Sequence, residues 1–73
     1  MKLVYNSAPG VGAKVELGDT LTSFRGEKFV IEGWKEPQHA GSTGHVWGAF
    51  VSSPDFCQEC YPSVFDLKFV END

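Results

Sequence analysis

Hydrophobic and polar residues alternate along three stretches of the chain. In "KFVIEGW" (28–34), Phe29, Ile31 and Gly33 fall on one side and Lys28, Val30, Glu32 and Trp34 on the other. In "HVWGAFVS" (45–52), Val46, Gly48 and Phe50 oppose His45, Trp47, Ala49 and Val51. In "SVFDLKFV" (63–70), Phe65, Leu67 and Phe69 share a face, with Asp66 and Lys68 opposite. A period of two marks a strand with one buried face. The sets without polar side chains are assigned inward, which predicts a core of Ile31, Val46, Phe50, Phe65, Leu67 and Phe69. Two shorter runs, "KLVYN" (2–6) and "DTLTSF" (19–24), complete a set of five predicted strands.

Turn signals separate these runs. "NSAPGVG" (6–12), "LGD" (17–19), "KEPQHAGSTG" (35–44) and "SSPD" (52–55) read as loops or turns, and "RGE" (25–27) as a tight hairpin connection. Ser53 suits a helix N-cap, Pro54 the first helical position and Asp55 the positive helix end, so a short helical turn is expected near residues 54–60, stopped before Pro62. The predicted fold is mostly β: a small five-stranded antiparallel SH3-like barrel, bent at Gly33 and Gly48, with one helical turn. With 73 residues, a single domain spanning 1–73 is expected.

That turn holds the only cysteines, Cys57 and Cys60, in C-x-x-C spacing. On a helical turn the two would point the same way. A redox pair needs a stabilised thiolate, and Asp55 and Glu59 would raise a thiol pKa instead. A zinc site needs three or four ligands. His39, His45, Cys57 and Cys60 form the alternative ligand set, in an order and spacing unlike the usual fingers. The preferred reading makes both cysteines small apolar residues, with no cofactor and no metal. "APGVGAK" (8–14) lacks the glycine spacing and following Ser or Thr of a phosphate loop, and "GSTGH" (41–45) lacks a nucleophile elbow. No catalytic site is read, and the chain is expected not to be an enzyme.

Charge narrows the partners. Six Lys and Arg face ten Asp and Glu, for a net charge of −4. No basic run exists to neutralise phosphates, so direct nucleic-acid binding is not expected, and basic protein surfaces are favoured. No apolar run spans a bilayer, and "MKLVYNSAPG" is too short in apolar residues for a signal peptide, which predicts a cytoplasmic protein with reduced thiols. Aromatic residues reach 14%, and the face assignment puts Trp34 and Trp47 on the outside. They are either binding anchors or covered by a loop or the N-terminal strand.

The runs "GDTLTSFRGEKFVIEGWKEP", "GSTGHVWGAF" and "YPSVFDLKFV", within residues 18–70, resemble a family of small bacteriophage proteins. In length and acidity the chain is similar to the members, known from Xanthomonas phage, that bind host RNA polymerase. The resemblance implies a transcription regulator in the cytoplasm of the infected host. It would block promoter-dependent initiation, promote antitermination, and engage the N-terminal end of the β′ subunit. No functional residue transfers by motif. The expected contact surface combines an unpaired edge strand, with Leu3, Val4 and Tyr5, with Trp34 and Trp47 as anchors and Glu32 and Glu36 facing basic groups.

Overall fold

The computed structural model describes residues 1–7, 10–39 and 41–71; Ala8 and Pro9 of the predicted 6–12 loop, and Ala40 of the 35–44 loop, lie outside them. Six strands form two antiparallel sheets. Strand β1 (Lys2–Tyr5) pairs with β6 (Leu67–Val70), and β2 (Thr20–Thr22), β3 (Lys28–Lys35), β4 (His45–Phe50) and β5 (Gln58–Cys60) form a four-stranded sheet in that order. The mostly β expectation holds. The five-stranded closed barrel does not: the first strand pairs with the last in a separate sheet, so the four-stranded sheet stays open.

The β2–β3 hairpin forms as its turn signals predict. Gly26 adopts φ 83°, a left-handed conformation that costs glycine little. Ser23 closes the turn from inside, its Oγ accepting from the backbone N–H groups of Arg25 and Glu27.

Beyond β4 the chain departs from expectation. Residues 54–60 are not helical. Ser53 and Phe56 donate backbone hydrogen bonds to Phe50 and Ser53 in successive turns, and 58–60 then extend along β4, pairing Val46 with Cys60 and Gly48 with Gln58. The Ser-Pro-Asp signals favour a turn as well as a helix start, and an available strand partner decided between them. The one helical segment is a 3-10 helix at Pro62–Phe65. Pro62 starts it where it was expected to stop one, because a proline suits the first helical position. Asp66 ends it in the left-handed conformation, φ 58°. The predicted strand 63–70 is therefore helix, turn and the short β6, although Phe65 and Leu67 are still buried.

The core lies between the sheets. Leu3, Tyr5 and Leu67 from one meet Leu21, Phe29, Ile31 and Val46 from the other, with Val15 and Phe65. Phe29 stacks on Phe65 at 4.5 Å between ring centroids and meets Phe50 edge-on at 4.9 Å, both favourable aromatic arrangements. Of the predicted core, Ile31, Val46, Phe65 and Leu67 are buried, while Phe50 and Phe69 are half-buried and packed against it.

A bulge interrupts β3. Ile31 opposes Gly48 but Gly33 opposes Trp47, so Glu32 is an extra residue. One inserted residue reverses the face of everything beyond it. Trp34, expected outside, opposes buried Val46 and packs against the core.

Candidate partner-binding surface

β1 is not an edge. Beyond its ladder with β6, Tyr5 donates its backbone N–H to Ala13, Gly12 and Val15 donate to Tyr5 and Leu3, and Val4 bridges Lys14. Segment 12–15 covers the other side. Leu3, Val4 and Tyr5 are buried, so the expected contact strand is interior and offers no surface to a partner. Its lack of Gly, Pro and charge beyond Lys2 suits an interior strand as well as an edge strand.

Tyr5 also carries a part-buried polar link. Its hydroxyl donates to Asp19 at 3.0 Å, and Asp19 also accepts from the Glu16 N–H. Burial, the hydrogen bond and the Asp19 charge push the Tyr5 hydroxyl up to about 12. The phenol is thus held protonated as the donor.

The remaining expected contact residues are dispersed. Trp34 faces inward and is half-buried. Trp47 stays on the outer face, against Gly33, where an added Cβ would come within 2.6 Å of three indole atoms. Glu32 is exposed at the bulge, and Glu36 is exposed and holds the amino group of Met1 at 2.8 Å.

Of the alternative ligand set, His39 and His45 line one groove with Tyr61, and Cys57 and Cys60 are not part of that lining. Cys60 opposes Val46 and faces the core, whereas His45, one residue from Val46, faces outward. Cys57 is exposed. Among the described residues, no three of His, Cys, Asp and Glu gather as a metal cluster would. The cysteines lie at and just before a strand, where residues three apart are separated by roughly 10 Å, well beyond disulfide reach. Burial, then the Glu59 charge, raises the Cys60 thiol above its ordinary pKa. A redox pair needs the opposite shift.

Large apolar groups reach solvent at several places, among them Val11 and Leu17 in turns before β2 and Tyr61 after β5, and three gather at one end of the four-stranded sheet. Phe24, at the β2–β3 turn, is 76% exposed, and Phe56, between β4 and β5, is 69% exposed; Val51 is also exposed. The two turns share one end of the four-stranded sheet, where the Val51 N–H donates to Lys28. Phe24 is held by its backbone N–H on Val64 of the 3-10 helix, with the Arg25 guanidinium 5.6 Å from its ring centroid. Beside it opens a groove of about 770 Å³, whose lining includes Asp19, Asp66 and Lys14 but neither His nor Cys. Asp66 accepts a hydrogen bond from Ser7 there. This end is a rim of apolar side chains, with acidic Asp55 next to Phe56 in sequence and Asp66 in the groove beside Phe24.

The sequence reading missed Phe24, Val51 and Phe56 because it placed them inside strands or a helical turn. Their signal was there: each sits beside Ser, Gly, Pro or Asp in a turn segment, where a large apolar residue has no core to enter.

No family model, curated protein or solved structure matches the chain. No helix among the described residues is long and apolar enough to cross a membrane.

Proposed function

We propose that this chain is a protein-binding regulator that docks on bacterial RNA polymerase and represses promoter-dependent initiation. The observation that carries docking is the exposure of Phe24, Val51 and Phe56 at one end of the four-stranded sheet. Large exposed apolar groups without a structural task are characteristic of interface anchors. The identity of the partner rests on the phage resemblance over residues 18–70, which also implies antitermination, the N-terminal end of β′ as the target and the cytoplasm of an infected host as the setting. The net charge of −4 favours a basic partner surface and speeds encounter with it.

The surface differs from the one expected from the sequence. Phe24 and Phe56 replace the buried Leu3–Tyr5 strand as anchors. The test is run-off transcription from a host-type promoter with purified polymerase, alongside direct binding. Wild-type protein should suppress initiation. The double variant Phe24→Ser, Phe56→Ser should bind at least about tenfold more weakly, as loss of anchors does, with its fold intact by circular dichroism. Unchanged initiation at saturating protein and no detectable complex would sink the proposal.

A further inference from the structure

The outer face of the four-stranded sheet has a different character from the turn end. Strand register assembles it row by row: Thr20, Val30 and Ala49; then Gly33, Trp47 and Glu59; then Lys35 and His45, with Lys28 at the opposite end of β3. Trp47 is half-buried because its indole rests against Gly33, which leaves the rest of the ring to solvent. One row on, His45 and Tyr61 stack with centroids 5.9 Å apart and ring planes 27° from parallel. Among the register-paired positions of this face, the charged groups are Lys28, Lys35, His45 and Glu59, with Glu59 4.0 Å from the His45 imidazole, and the bulge adds exposed Glu32 next to Gly33. The chain is acidic as a whole, yet two lysines flank the aromatic groups here. The chain has no basic run along its sequence. Residues 28, 35, 45 and 47 are brought together only by strand pairing.

We propose that this sheet face binds a short single-stranded nucleic acid, with Trp47 and the Tyr61–His45 pair stacking bases and Lys28 and Lys35 meeting phosphates. A flat sheet surface that carries π faces suits unpaired bases, which every aromatic ring accepts with little sequence preference. Duplex DNA is a poorer fit, because groove reading requires an inserted helix or ribbon. The length of β3 between its two lysines suits a strand on the order of four nucleotides, the small end of single-strand sites. Two phosphate contacts give weak, salt-sensitive binding, with a slope of log K against log salt of about −1.4. The site goes beyond the polymerase reading, and Trp47, His45, Tyr61 and Lys35 lie away from Phe24 and Phe56, with Lys28, paired to Thr22 beside the β2–β3 turn, the one residue near both, so either can fail alone.

The experiment follows indole fluorescence in the full chain carrying Trp34→Phe, which leaves Trp47 as the only tryptophan. Hexauridylate and hexathymidylate are titrated at low salt, to about 1 mM, above the weak end of nonspecific affinities. The expected result is quenching, a salt slope near −1.4, and a fall of that slope to about −0.7 with Lys35→Gln. Lys68→Gln, on the other sheet, should leave the slope unchanged. By fluorescence anisotropy of a dye-labelled oligonucleotide, Trp47→Ala should weaken binding about 5- to 150-fold, the range of one lost stacking contact, and Trp47→Phe should restore most of it. Glu59→Gln should tighten binding by removing the one acidic group in register with Trp47. No quenching, or binding that survives Trp47→Ala in a folded protein, overturns the proposal. Tighter binding of a Glu-rich peptide than of either oligonucleotide also overturns it, and assigns the face to an acidic protein segment.

Discussion

The two faces of the four-stranded sheet use glycine for opposite purposes. On the inner face, Gly48 lets two backbones meet: a Cβ there would stand 2.0 Å from the Val30 carbonyl oxygen and 3.0 Å from the Ile31 Cα. On the outer face, Gly33 makes room for a side chain, the Trp47 indole. Backbone cannot yield without breaking the ladder, whereas an indole on a surface can swing into solvent. The inner glycine is therefore a condition of the fold, and the outer one sets the pose of a single half-buried ring. The tryptophans follow the same division, Trp34 contributing to packing and Trp47 to the surface.

The largest expected effect tests this division at Gly48. Gly48→Ala should cost about 3 kcal/mol or more, the upper end for overpacking. For 73 residues, total stability is on the order of 4–11 kcal/mol. Chemical denaturation should find the midpoint far below that of the wild type, with only about 1 kcal/mol left if the wild type lies at the low end of that range; a loss below about 1 kcal/mol would mean that the β3–β4 pairing at Ile31 is looser than the contact implies.

The next effect reads the interior through pH. The Tyr5 hydroxyl is raised from an ordinary 10 to about 12, by burial first and Asp19 second. A raised folded pKa means that its contribution is fully present below pH 10 and is lost as pH climbs through 12. Two units correspond to at most about 2–3 kcal/mol, reduced by solvent screening at a hydroxyl that is only partly buried. Stability measured by denaturation between pH 9 and 12 should fall accordingly, and Tyr5→Phe should flatten that fall while lowering stability at neutral pH through loss of the Asp19 hydrogen bond. An equal fall in Tyr5→Phe would place the alkaline sensitivity elsewhere.

The smallest effect belongs to Gly33. Gly33→Ala should displace the indole at a cost of about 1 kcal/mol, a fraction of an aromatic side chain's burial, with Trp47 emission shifting to the red. A cost matching that of Gly48→Ala would abolish the distinction between the faces.

Much of the strand content was legible in the sequence. The period-two runs at 28–34 and 45–52 mark β3 and β4 because a half-buried strand leaves an alternation that needs no partner to be read. The 25–27 turn was legible because Gly26 tolerates a left-handed backbone where other residues do so at a cost. The inward placement of Ile31, Val46, Phe65 and Leu67 was legible because their stretches place polar residues on the other side.

What only the tertiary structure decided involves two or more segments at once. The bulge at Glu32 adds a residue that Gly33 beside it marks only as a bend, and it alone sends Trp34 inward while Trp47 remains outside. β1 is interior because 12–15 and β6 both pair with it, and an apolar strand reads the same whether its edges are open or filled. Residues 58–60 became a strand because β4 offered them a ladder, which overrode the local helix signals of Ser53, Pro54 and Asp55. That pairing turned Cys60 to the core while Cys57, three residues back in the chain, stayed in solvent, parting the C-x-x-C pair. The gathering of Trp47, His45, Lys28 and Lys35 on one face has the same origin. Side-chain alternation is a property of one strand, but register, edges and neighbours are properties of pairs.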